Sequence, residues 1–189
     1  MSYFLALSGS PTKFSKSGFL LRTVGSILEE RVIEFRVIHA VDLPAAEDTN
    51  HSLTDQFIAD TAEEVRQASA ILLLAPATKG SVPALLSTLL GRLADDLFLG
   101  KPVLLFATGG LPAHVALLER ALRHELVRLG TITVACRIHI GTGNWITIGN
   151  DHPRLSRGAE QEIARSIDLI LRGIRLKELR EQSLELAGR

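Results

Sequence analysis

The run AILLLAPA at residues 70 to 77 constrains this chain more than any other stretch. It is too short to cross a membrane, and too evenly apolar for a strand with one face in water. Such a run fits the centre of a parallel sheet covered on both sides. Parallel strands need long crossover connections, and the flanking sequence supplies them. YFLALS (3–8), IEFRVIHAVDL (33–43), KPVLLFATGG (101–110) and TITVACRIHIG (131–141) read as further strands. Residues 17–30, 53–68, 81–95, 113–129 and 156–173 carry apolar residues at helical spacing, as Leu20, Leu21, Val24, Ile27 and Leu28 do in the first. Ser17 or a neighbouring serine suits its N-cap, Pro83 suits a first helical turn, and Gly130 closes the fourth helix. Strict alternation of strand and helix predicts an α/β fold, a five-stranded parallel sheet with helices on both faces. One domain is expected over 1–175, with 176–189 a charged helical extension or tail.

Charge narrows the partners. The 21 basic residues balance 21 acidic ones, so no global field draws the chain to nucleic acid or to an anionic membrane. The first residues show no basic segment followed by a long apolar one, so a secretory signal is not expected there. Cys136 is the sole cysteine, so an internal disulfide is impossible and a reducing cytoplasm is the expected setting. The 6 histidines form no HExxH or His/Cys cluster, and no metal site is expected.

In open parallel sheets, ligands bind at the carboxyl ends of the strands. Three loops leaving such ends, 8–17, 75–81 and 108–114, are all rich in Gly, Ser, Thr or Pro. SGSPTKFSKSG (8–18) combines hydroxyls with Lys13 and Lys16 just before a helix. Helix-start N–H groups and the helix dipole favour an anion, and the hydroxyls complete a cradle. Neither the Walker pattern nor GxGxxG is present. A hydroxyl-rich cradle with little glycine suits a phosphate monoester. The glycines of the third loop permit close backbone approach to a ligand.

SGSPTKFSKSGFLL, APATKGSVPALLSTLL and GKPVLLFATGGLPAHVALLERALR resemble the NAD(P)H-dependent FMN reductase family, and most of all its sulfonate-utilisation branch. The likeness runs over residues 3 to 173. It implies a flavodoxin-like sheet of order 2-1-3-4-5, FMN and NAD(P)H as cofactors, and a homodimer or homotetramer. It also implies a flavin-dependent monooxygenase as the recipient of reduced FMN. By position in the motifs, Ser10, Thr12, Ser15, Lys16 and Ser17 would hold the FMN phosphate. Pro76, Ala77, Thr78 and Lys79 would flank the ring and ribityl chain, and Thr108, Gly109 and Gly110 the pyrimidine side. No side chain is assigned as catalytic, because hydride passes between the cofactors themselves.

The chain departs from that family where its second loop normally carries a tyrosine; Thr78 stands there. Ala84, Ser87 and Gly91 replace the usual Gly, Lys and Asp. An FMN-retaining quinone or azo reductase and a non-catalytic flavin-binding protein are the alternative readings. The leucines 85, 86, 89, 90, 93, 97 and 99 lead us to expect an oligomer built on the third and fourth helices. Arg120 sits where the sulfonate branch often inserts a tyrosine into a π-type bulge, and so marks an expected subunit contact near the flavin.

Overall fold

The computed structural model describes residues 3–44, 51–77, 80–131, 134–147 and 152–187. Five strands, β1 (Tyr3–Ser8), β2 (Glu34–His39), β3 (Ala70–Pro76), β4 (Val103–Thr108) and β5 (Cys136–Ile140), form one sheet of order β2-β1-β3-β4-β5. Every pairing is parallel. The expected α/β, flavodoxin-like architecture is present. Five helices accompany it: α1 (Lys16–Glu29), α2 (His51–Gln67), α3 (Ala84–Arg92), α4 (Pro112–Arg128) and α5 (Arg157–Ala187).

The strand residues divide by parity. Tyr3, Leu5 and Leu7 join Val65, Leu86, Leu90, Leu118 and Leu122, so α2, α3 and α4 cover one face. Phe4 and Ala6 join Leu20, Val24, Leu28, Ile163 and Ile167, so α1 and α5 cover the other. A buried strand sends alternate side chains to opposite faces, which is why the central runs contain almost no polar residue. Arg31 fastens the α1/α5 pair: its Nε donates to Asp168 Oδ1 at 2.7 Å and its Nη1 to the Ile27 carbonyl at 2.7 Å.

α5 continues past the expected 173 to Ala187, through most of the charged extension, and three further elements differ from the sequence expectation. α3 begins at Ala84 rather than 81, because Pro83 has φ −56° and ψ 131° and acts as a non-helical cap. Proline also drives the residue before it out of the helical region. β5 begins at Cys136 rather than 131: Gly130 at φ +89° and the Thr131 N–H bonded to the Leu126 carbonyl at 2.7 Å still terminate α4. β2 stops at His39, and a 3₁₀ turn over Ala40–Asp42 follows. A short antiparallel pair, β6 (Trp145–Ile146) with β7 (Arg154–Leu155), lies beyond the sheet and had no periodic signal to announce it.

Among the described residues no helix is long and apolar enough to cross a membrane. The leucine surplus of α3 and its following loop mostly packs within the subunit. Leu86, Leu89, Leu90 and Leu93 are buried and only Leu99 is strongly exposed, so the stated ground for an oligomer on α3 is removed.

Candidate functional site

β1 is flanked by β2 on one side and β3 on the other, and this reversal of strand order opens a crevice at its carboxyl end. The loop after β1 enters it. Ser15 caps α1, its Oγ accepting from the Gly18 N–H at 3.4 Å. Glycine at 18 is required: a Cβ there would lie 2.0 Å from the Lys13 carbonyl oxygen.

Ser10 Oγ and Ser15 Oγ both reach the Thr12 carbonyl, at 2.9 and 3.0 Å, and lie 3.0 Å from each other. Two hydroxyl protons serve three contacts. Turning one proton outward to an anion gives up one bond to the Thr12 carbonyl, and the other hydroxyl still holds the loop with its own proton. The N–H groups of Lys16 and Ser17, at the first two helical positions, have no carbonyl within the helix to reach. These donors and the positive end of α1 suit a phosphate monoester.

Ser17 has another role. It is buried, and its Oγ lies 2.9 Å from Thr108 Oγ1, so it ties the first loop to the end of β4. The sequence reading gave its hydroxyl to the phosphate; in the structure that hydroxyl contacts Thr108, and either oxygen can donate. Lys16 extends toward Trp145, its Nζ 5.8 Å from the ring centroid, and Lys13 pairs with Asp42 at 2.7 Å.

The second loop meets the third through the backbone, the Ala77 N–H donating to the Thr108 carbonyl at 2.8 Å. Gly109 and Gly110 then turn at φ +69° and +67°. An added Cβ on Gly110 would sit 2.4 Å from the Ala77 carbonyl oxygen, whereas one on Gly109 meets nothing within 4 Å. Gly109 thus presents open space and bare backbone at the crevice, the surface a flat ring needs. Pro76 and Ala77 flank it; Thr78 and Lys79 lie outside the described residues.

His139 was missed by sequence reasoning. Its Nε2 lies 2.9 Å from the Gly109 carbonyl oxygen and steadies the glycine pair. Its position at the end of β5, opposite the third loop, was the available signal. His114 is a local cap, accepting the Leu111 N–H at its Nδ1 at 3.2 Å. α4 is an unbroken α-helix from Pro112 to Arg128, so the bulge expected at Arg120 is absent, and Arg120 lies exposed. Among the described residues no group of acidic, histidine or cysteine side chains could hold a metal.

The hydroxyl triangle, the free helix-start donors and the open face at Gly109 fit FMN: a phosphate at one end and a planar ring at the other. A family model described as NADPH-dependent FMN reductase matches residues 3–144. An FMN reductase (NADPH) of Pseudomonas putida is 33% identical over 126 residues, 66% of this chain and 64% of that protein. The Pseudomonas aeruginosa FMN reductase (NADPH) is 28% identical over 122 residues, 63% of this chain and 66% of its own. The chain thus spans just under two thirds of the length of each. Among solved structures, the apo NADH:FMN oxidoreductase EMOB superposes with a TM-score of 0.70 at 23% identity, over 94% of this chain and 90% of that one. An FMN-dependent NADH-azoreductase from Bacillus anthracis, in complex with FMN, gives 0.61 at 13% identity, over 89% and 100%. At these identities the superpositions show a shared fold.

Proposed function

The chain belongs to the NADPH-dependent FMN reductase family, and from that premise we propose that it transfers hydride from NAD(P)H to FMN. One observation carries the reading. The Ser17–Thr108 hydrogen bond of 2.9 Å couples the anion cradle to the glycine turn, so a phosphate site and a ring site hold a fixed spacing. FMN, when bound, supplies the hydride-accepting ring. The chain's part is to bind and orient. Ser10, Thr12, Ser15 and the Lys16 and Ser17 N–H groups would hold the phosphate, and Lys16 adds charge. Pro76, Ala77, Thr78 and Lys79 would border the ring and ribityl chain. In the turn of Thr108, Gly109 and Gly110, the Gly109 N–H is taken by the Ile140 carbonyl at 2.9 Å, so the Gly110 N–H would stabilise negative charge on the pyrimidine side.

In this reading reduced FMN passes to a partner flavin-dependent monooxygenase of the sulfonate type, in a reducing cytoplasm suited to the lone Cys136. A second reading, FMN retained and a quinone or azo compound reduced, is favoured by the unbroken α4, since the bulge accompanies flavin exchange in the sulfonate branch. One assay separates them: NAD(P)H oxidation followed with and without added FMN, beside the absorbance spectrum of the purified protein. A colourless protein whose rate saturates with added FMN supports the first reading. A yellow protein that needs only an acceptor supports the second. Ligand binding with no NAD(P)H oxidation overturns both.

A further inference from the structure

A groove of about 330 Å³ runs between α1 and β2, lined in part by Lys13, Phe14, Arg22, Gly25, Phe35 and His39. It begins where the proposed phosphate cradle ends, because Lys13 and Phe14 belong to the same loop as Ser10 and Ser15. Three features of it are unexplained by the fold. Phe14 is 88% exposed, an aromatic ring held in water beside the crevice. Arg22 is exposed, and its guanidinium lies 4.3 Å from the Phe19 ring centroid; among the described residues no carboxylate pairs with it. His39 Nδ1 is a buried ring nitrogen with no hydrogen-bond partner. Gly25 opens the floor: it lies inside α1 at an ordinary helical φ, and a Cβ there would come 3.3 Å from the Phe35 ring. Glycine in a helix interior is less favourable than alanine, so the open floor is gained against helix stability.

The volume lies at the low end of the range for small-molecule pockets, about 300 to 1,000 Å³, which suits a nucleoside and excludes a whole dinucleotide. Two aromatic rings and a cation without a carboxylate partner select a planar base next to an anion. Asp42, just after β2, is neutralised by Lys13 at 2.7 Å, which leaves Arg22 as the cation of the groove with no carboxylate partner among the described residues.

We propose that this groove takes the adenosine 2′-phosphate end of NADPH, with Arg22 and Lys13 toward the phosphate and Phe14 against the adenine. The proposal rests on NAD(P)H being the hydride donor. Arg22 then sets the preference for NADPH over NADH without touching the reacting atoms.

The test is calorimetric titration of the full chain with adenosine 2′,5′-bisphosphate and with 5′-AMP, paired with steady-state kinetics. The bisphosphate should bind at least tenfold more tightly than AMP. Arg22→Ala should remove most of that difference, and Phe14→Ser should weaken both ligands severalfold. Both positions are exposed, and an unchanged melting temperature verifies folding. Arg22→Ala should raise KM for NADPH tenfold or more, with KM for NADH and kcat unchanged. Equal binding of the two nucleotides, or an Arg22→Ala variant that binds the bisphosphate as before, overturns the groove assignment even if the reductase is active. Arg22-dependent bisphosphate binding by a chain that never oxidises NAD(P)H overturns the proposed function and leaves the groove's nucleotide selectivity standing.

Discussion

Two adjacent glycines separate backbone need from ligand need. Gly109→Ala meets only the penalty of positive φ, about 1–2 kcal/mol, and its methyl enters open space at the crevice. Gly110→Ala adds a collision with the Ala77 carbonyl and forces the second and third loops apart. Gly109→Ala should fold with a modestly lower melting temperature and lose FMN affinity; Gly110→Ala should lose clearly more stability, as denaturant titration would show. The serines divide similarly. Ser15→Ala removes a cap and a hydroxyl of the triangle, and should weaken FMN by about 1–3 kcal/mol in a fluorescence titration. Ser17→Ala leaves Thr108 unpaired in a buried site, and should reduce stability before it reduces affinity. Equal affinity loss with no stability loss at Ser17 would return its hydroxyl to the phosphate. Val32 offers a gain: a β-branched residue at φ +59°, 93% exposed, it should give way to glycine with about 1 kcal/mol of added stability.

At the scale of elements, α1 and α5 are joined across their outer edges by the Arg31–Asp168 bond. The Arg31 hydrogen bond holds the Asp168 carboxyl below the usual range. The unfolded chain therefore takes up that proton more readily, and the bond's contribution is complete above the ordinary carboxylate value of about 4. It fades as pH falls through the lowered folded value. Asp168→Asn should destabilise at pH 7 by no more than about 1 kcal/mol, since both side chains are partly solvated, and its deficit should vanish at the acid end of a pH series of melts. Element existence was legible in the sequence because buried parallel strands and amphipathic helices repeat over many residues: AILLLAP is β3, and Leu20 to Leu28 mark the buried face of α1. Boundaries were less legible where a single backbone angle decides them, as at Pro83 and Gly130. The β6–β7 pair, two residues a side, is too short for any period to show. In the site, hydroxyl content and loop position were visible, but the Ser17–Thr108 and His139–Gly109 contacts join residues far apart in sequence and exist only after folding.

Among the described residues, α4 carries an apolar surface that the fold does not cover. Leu117 and Val127 on α4 are 51% and 56% exposed, and Arg120 and His124 occupy the same face between them. The spacing of 117, 120, 124 and 127 follows the helical repeat, which makes a stripe rather than scattered apolar residues. Leu111, 62% exposed, extends the apolar surface at the start of the same helix, beside the glycine turn. A subunit contact there would border the proposed flavin site, and Arg120 can bridge a carboxylate across it. This replaces the α3 leucines as the ground for expecting a homodimer or homotetramer. Light scattering on the purified chain at micromolar concentration should therefore give an integral multiple, at least two, of 20.5 kDa. Leu117→Glu with Val127→Glu places four charges in a symmetric contact and should reduce the mass to that of one chain, while circular dichroism stays unchanged because both positions face outward. A wild-type mass of 20.5 kDa would show that the stripe stays in water. An oligomer that survives both substitutions would move the contact off α4, and Arg120 would then lie on a free surface.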